Sequence, residues 1–134
     1  MKLYRVLDDT GQVVMAAETA HGLRRIDGDL FGSFSVTARP VTAQKTLAPV
    51  EPPNVFAIGL NYRAHAAETG KDLPDAPVVF AKATTSVTAP GDPIRLPAAG
   101  PACVDYEVEL AVVIGREARN IPAERAGEVV LGFT

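Results

Sequence analysis

Acidic side chains recur at every second position in one short stretch of the chain, as Asp105, Glu107 and Glu109. A β-strand sends alternate side chains to opposite faces, so a strand here would place all three carboxylates on one face. Acidic residues are poor strand formers, and like charges on one face repel each other. A divalent cation bound between the carboxylates would offset this repulsion. The alternative is a half-exposed strand whose polar face lies in water.

A second pair of residues suited to chemistry is His65 and Glu68, which are three positions apart. On a helix this spacing places both side chains on the same face, within reach of each other. A carboxylate can orient an imidazole and stabilise its protonated form, so such a pair can take a proton from water. The alternative is an ordinary polar pair on an exposed short helix. Lys82 follows an apolar stretch, where it either reaches a substrate carboxylate or marks the solvated end of a strand.

The elements that must position these residues lie between residues 54 and 134. The continuous apolar run 55–60 predicts a buried strand, and Asn61 can cap a helix over 62–68 that ends at Gly70. A second strand is predicted at 77–82, and the acidic stretch leads into an apolar run at 111–114, typical of a buried strand. A helix is expected from Pro122 to about residue 130, with a further strand opening at residue 133. A metal and a general base in one cleft would form a hydrolytic or proton-transfer site.

The first fifty residues predict a small β domain with no visible chemistry. Strands are expected at 3–7 and 12–16, joined by a turn at 8–11, and a third at 22–26. Residues 37–53 are rich in Thr, Pro, Ala and Val and are interpreted as a connector. The predicted domains are therefore residues 1–50 and residues 51–134.

The composition narrows the class of protein. The chain has 134 residues, of which 47% are hydrophobic and 22% charged, as in globular proteins. The net charge of −3 argues against a nucleic-acid binder held by its overall field. Cys103 is the single cysteine, so no disulfide can form within the chain. Neither a signal peptide nor an apolar run long enough to cross a membrane is visible, so we expect a cytoplasmic protein without a membrane partner.

Two segments together, 59–68 (GLNYRAHAAE) and 105–115 (DYEVELAVVIG), resemble the fumarylacetoacetate hydrolase family. Residues 77–82 (PVVFAK) and 89–94 (APGDPI) between them resemble the same family. The resemblance runs through residues 54–134, and the first fifty residues are similar to the small N-terminal β domain of many bacterial members. The order and spacing of the four segments make the resemblance specific.

The resemblance implies a β-rich α+β fold, in which the N-terminal part of a rolled β-sandwich follows a small β domain, and a homodimer. It implies Mg²⁺ or Mn²⁺ bound by Glu107 and Glu109, with Asp105 not a ligand. His65 and Glu68 match the family's water-activating dyad. The implied substrates are 2-oxo or 2,4-dioxo acids, and the implied reactions are carbon–carbon hydrolysis, decarboxylation and enol–keto isomerisation.

The chain also departs from the family pattern. The family's third metal-binding carboxylate and a further catalytic lysine fall beyond Thr134. Members that act on fumarylacetoacetate itself have an extra metal-binding Asp at the position of Ile58, so the resemblance points to the acylpyruvate, decarboxylase and isomerase members. We therefore expect the front part of a metal-dependent enzyme, weakly active alone and prone to self-association. The alternative is a catalytically silent binding or interaction module.

Overall fold

Five antiparallel strands form the largest sheet of the computed structural model, which describes residues 1–134. Their order across the sheet is β4-β3-β2-β1-β5. The strands are β1 (Leu3–Asp8), β2 (Val13–Thr19), β3 (Gly22–Gly28), β4 (Phe34–Pro40) and β5 (Ala43–Thr46). Each of the first three strands pairs with the next, and β5 returns to pair with the other edge of β1.

The turn between β1 and β2 is held by one carboxylate. Asp8 Oδ1 accepts hydrogen bonds from the Thr10 backbone N–H at 2.9 Å, the Thr10 hydroxyl at 2.7 Å and the Gln12 N–H at 2.9 Å. Gly11 has a φ of +80°, which a residue with a Cβ rarely adopts. The local sequence therefore fixes this hairpin, and Asp8 is buried although it is charged.

The core of the protein lies on this sheet. Eight of the 134 residues are buried, and seven of them are apolar. Five of those seven are in the first three strands: Val6, Val14, Ala16, Ala17 and Ile26. The remaining elements are much more exposed, so the stability of the chain is concentrated in its first part.

The second part of the chain forms two separate strand pairs and one short helix. β6 (Val55–Gly59) pairs with β7 (Val78–Lys82), and α1 (Arg63–Glu68) lies between them in sequence. β8 (Val112–Ile114) pairs with β9 (Val130–Phe133). Short 3₁₀ helices occupy Thr84–Ser86, Pro101–Cys103 and Ala123–Val129. None of the helices has the length and apolar character needed to span a membrane.

The predicted β-rich fold with few helices is confirmed, and several of its details are wrong. The predicted connector at 37–53 contains the end of β4 and all of β5, because pairing with β1 stabilises a segment whose sequence resembles a loop. The predicted helix from Pro122 is a 3₁₀ helix, and the strand expected to open at residue 133 instead ends there.

The buried strands expected at 55–60 and 111–114 are only partly buried. Ala57 is buried in β6, whereas Phe56 is 67% exposed, and both Val112 and Ile114 are exposed in β8. Two-stranded sheets cover neither of their own faces, so a continuous apolar run does not become buried without a further layer.

Candidate functional site

A sharp turn after β6 positions the helix that carries His65. Leu60 has a φ of +53°, a left-handed conformation that is uncommon for residues other than glycine. Tyr62 is the N-terminal cap of α1 and makes no side-chain capping bond, so the prediction that Asn61 caps this helix is wrong. At the other end, Gly70 has a φ of +63° and its N–H bonds the Ala67 carbonyl, closing the helix as predicted.

The residues Asp105 to Leu110, here called the acidic segment, are not a β-strand. The antiparallel ladder of β8 and β9 extends only as far as Ala111 and Thr134, which exchange two backbone hydrogen bonds of 2.8 and 2.9 Å. Beyond that pair the acidic segment makes no backbone–backbone hydrogen bond. Tyr106 and Val108 are 88% and 92% exposed. The predicted acidic strand is therefore wrong, because alternation alone cannot supply a neighbouring strand.

Two contacts join the acidic segment to the start of α1. The Leu110 N–H donates to the Tyr62 hydroxyl at 3.1 Å, across 48 positions of sequence. His65 Nε2 lies 3.6 Å from Glu107 Oε1. The structure thus brings the predicted proton-transfer histidine next to one of the two predicted metal ligands.

The other predicted site residues stand apart from this pair. Glu68 is the exposed last residue of α1 and forms no hydrogen bond or ion pair with His65. Glu109 is exposed and has no side-chain partner. Lys82 ends β7, is exposed, and its Nζ lies 5.7 Å from the centre of the Phe80 ring. Their roles remain predictions.

Tyr62 is the contact that sequence reasoning missed. It lies three positions before His65 in the segment 59–68, and the sequence pattern assigns it no role. The signal for its role is a phenolic hydroxyl at a helix start, which commonly finds a hydrogen-bond partner. The identity of that partner depends on tertiary structure and could not be obtained from spacing.

The acidic segment offers carboxylate oxygens, the type of ligand that a hard cation prefers. The chain has no group of three or more His, Cys, Asp and Glu side chains placed to hold a metal ion. Glu107 and Glu109 offer carboxylate oxygens, and Mg²⁺ is usually held by one or two carboxylates with water and substrate oxygens completing its shell. The two residues therefore fit part of a Mg²⁺ or Mn²⁺ site.

Two surface cavities lie away from these residues. One, of about 360 Å³, is lined by β1, β9 and their neighbours. The other, of about 370 Å³, lies beside Arg5 and the residues 84–89. None of the five predicted site residues lines either cavity. His65 is half-buried and the other four residues are exposed, so the candidate site lies at the surface and outside these two cavities.

A family model matches the second part of the chain, and relatives among known proteins match most of its length. Residues 54–134 match the family model described as fumarylacetoacetate (FAA) hydrolase C-terminal. The oxaloacetate tautomerase of Bacillus subtilis is 41% identical over 110 residues, which are 79% of this chain and 36% of that protein. An uncharacterized protein of Archaeoglobus fulgidus is 41% identical over 126 residues, which are 92% of this chain and 49% of that protein.

A solved structure extends the match to the fold. The 5-carboxymethyl-2-hydroxymuconate delta-isomerase of Mycobacterium smegmatis superposes with a TM-score of 0.76 at 36% identity, covering 99% of this chain and 52% of that one. The chain thus spans about half or less of the length of the relatives it matches. Two of these relatives carry the names of enzymes, a tautomerase of oxaloacetate and a delta-isomerase of 5-carboxymethyl-2-hydroxymuconate. Since the family model covers more than half of the chain, the chain belongs to the fumarylacetoacetate hydrolase family.

Proposed function

We propose that this chain contributes a base and carboxylate donors to a divalent-metal-dependent enzyme acting on 2-oxo or 2,4-dioxo acids. Among the reactions of that class, enol–keto isomerisation is the one these residues fit best. The observation that supports the proposal is the 3.6 Å contact between His65 and Glu107, which brings the proposed proton carrier to the proposed metal-binding segment. The names of the oxaloacetate tautomerase and the muconate isomerase among the relatives favour isomerisation over hydrolysis.

The proposed role of His65 is to move a proton. A neutral imidazole can accept the proton of an enol hydroxyl and return it to the neighbouring carbon, which converts enol to keto acid. This relocation needs no water, oxidant or other co-reactant. Glu68 lies one turn further along α1, and its proposed role is to orient the imidazole once the site is assembled.

The proposed role of Glu107 and Glu109 is to hold Mg²⁺ or Mn²⁺ through carboxylate oxygens. A cation bound there would stabilise the negative charge of an enolate. The same charge develops in carbon–carbon hydrolysis and in decarboxylation, so both remain within the proposed reaction class. Lys82 is proposed to bind the substrate carboxylate.

The proposed site is larger than the residues of this chain. Two exposed carboxylates compete poorly with the hydration shell of Mg²⁺, so the affinity of the chain alone should be low. We propose that further donors, together with the rest of a rolled β-sandwich, complete the site in an assembled cytoplasmic homodimer. In this proposal residues 1–50 form a small β domain ahead of the catalytic part.

The first prediction concerns the cation. Mn²⁺ titrated calorimetrically into the chain should bind weakly, and Glu107→Ala should remove that binding because it deletes one of two donors. Glu117→Ala is the matched control, since Glu117 is equally exposed and lies outside the acidic segment. Tight binding to the wild-type chain that survives Glu107→Ala would contradict the assignment.

The second prediction concerns the base. With Mn²⁺ present, the chain should accelerate the loss of the ultraviolet absorbance of enol oxaloacetate slightly, and His65→Gln should return the rate to that of buffer. His21→Gln is the control, because His21 is the other histidine and lies in the turn between β2 and β3. Equal rates for wild type and His65→Gln would refute the role of His65. A chain that neither binds Mn²⁺ nor changes the rate supports the silent-module alternative.

A further inference from the structure

The acidic segment has few contacts that fix its position. Its two ends are held by the 3₁₀ helix at Pro101–Cys103 and by the ladder pair Ala111–Thr134. Between these ends only two backbone N–H groups have partners. One is Tyr106, bonded to the side chain of its neighbour Asp105, and the other is Leu110, bonded to Tyr62. The Leu110 bond is therefore the single backbone hydrogen bond that ties this segment to another part of the fold.

Tyr62, the partner in that bond, lies between α1 and the acidic segment. Tyr62 precedes α1, three positions before His65, and its position follows from the left-handed backbone of Leu60. Leu110 directly follows Glu109 and lies three positions after Glu107. A bond from Tyr62 to Leu110 consequently sets the distance between α1 and the segment that carries both carboxylates. The His65–Glu107 contact lies alongside it.

We propose that Tyr62 is a positioning residue, whose hydroxyl holds the Leu110 amide and thereby keeps Glu107, and the segment that also carries Glu109, beside His65. This inference rests on the proposed function, because it assigns Tyr62 a role toward a cation on those two carboxylates. Tyr62 touches neither the cation nor the substrate in this proposal. Groups that orient metal ligands from outside the coordination shell typically change metal affinity by about 10- to 100-fold when they are removed.

The test uses two tyrosine-to-phenylalanine variants of the whole chain. Tyr62→Phe keeps the ring and removes the hydroxyl. Tyr106→Phe removes a hydroxyl from the acidic segment itself, where Tyr106 is 88% exposed and its hydroxyl has no partner. The second variant therefore controls for the loss of a phenol without the loss of the contact.

The first readout is the exchange of individual amide protons with water, measured by NMR. Tyr62→Phe should speed exchange at Leu110 by about fivefold, because one hydrogen bond of ordinary strength is lost. Exchange at Ala111 and Gly115, which are bonded within and beside the β8–β9 ladder, should not change. Tyr106→Phe should leave all three amides unchanged. Equal exchange at Leu110 in wild type and Tyr62→Phe would overturn the proposal.

The second readout separates a positioning role from a merely structural one. Tyr62→Phe should weaken Mn²⁺ binding by about tenfold and reduce the paramagnetic broadening of the His65 ring signals at saturating Mn²⁺. Tyr106→Phe should change neither. Unchanged Mn²⁺ affinity in Tyr62→Phe would overturn the positioning role. If the wild-type chain binds no Mn²⁺, both the proposed function and the role of Tyr62 toward the cation fail. The exchange rate of the Leu110 amide still decides whether Tyr62 holds the segment.

Discussion

At the scale of single residues, His65 was predicted to pair with Glu68 and is found beside Glu107. Helical spacing places His65 and Glu68 on one face, but it does not force two exposed side chains into contact. Glu107 approaches from 42 positions further along the chain, and such a contact depends on tertiary structure. The sequence pattern thus pointed to His65 and Glu107 separately, while the contact between them follows only from the fold.

The third prediction concerns Asp8. Hydrogen bonds from the Thr10 hydroxyl and the Gln12 amide hold the pKa of this carboxyl below its ordinary value of 3.8. Because the folded-state pKa is lowered, the stabilisation is present above the unfolded-state pKa and is lost as pH falls through the folded one. Thr10→Val should raise the pKa of Asp8 toward 3.8, which lowers the stability of the β1–β2 hairpin at neutral pH and makes that stability depend less on acidification. An NMR titration of the carboxyl checks this, with Thr42→Val as an exposed threonine control.

At the scale of elements, local patterns predicted what local interactions determine. The β1–β2 hairpin and the closure of α1 at Gly70 follow from turn or capping residues close by in sequence. The apolar runs predicted strands at β6 and β7, whereas the pairing of these two strands was not predicted. β5 and the acidic segment were interpreted wrongly for one common reason. A strand exists only where a neighbour pairs with it. The residues of a segment do not themselves indicate whether such a neighbour exists, as it does for β5 beside β1 and does not for 105–110.

The fourth prediction concerns the connection between β3 and β4. Gly28 has a φ of +103°, and a Cβ at this position would lie 2.3 Å from the Ser33 carbonyl oxygen. Gly28→Ala should therefore destabilise the sheet by more than about 1 kcal/mol, since both the backbone conformation and the space exclude a methyl group. Thermal unfolding followed by circular dichroism measures the effect.

Gly127→Ala is the matched control for that substitution. A Cβ at Gly127 meets nothing within 4 Å and the residue has no positive φ. The free energy of unfolding of Gly127→Ala should stay within about 0.5 kcal/mol of that of the wild type. Equal stability of Gly28→Ala and Gly127→Ala would show that the β3–β4 connection can move to accept the methyl group.

At the scale of the whole molecule, burial is concentrated in the first sheet and apolar exposure in the second part. All five residues of β7 are exposed, including Val78, Val79 and Phe80. Phe56 on β6 and Phe133 on β9 are also more than half exposed. Large apolar side chains exposed in this number favour association with other polypeptide.

The fifth prediction is that the chain self-associates through this surface. The weight-average mass in sedimentation equilibrium should rise with concentration, and Val79→Lys should lower it because a charge interrupts the exposed apolar face of β7. Ser35→Lys adds the same charge to exposed β4 and should have no effect. A monomer at every concentration would contradict the prediction, and a defined dimer would support the proposed homodimer.

The missing ladder partner of the acidic segment also has a thermodynamic consequence. Fixing the backbone of one residue costs about 1–2 kcal/mol of conformational entropy, and residues 105–110 have no neighbouring strand to offset that cost. A ligand held by Glu107 and Glu109 would therefore meet part of that cost itself. A polypeptide that pairs with the segment beforehand would remove this cost and raise the affinity for that ligand without touching it. Strand pairing at 105–110 and ligand binding at Glu107 and Glu109 would then be coupled, each strengthening the other.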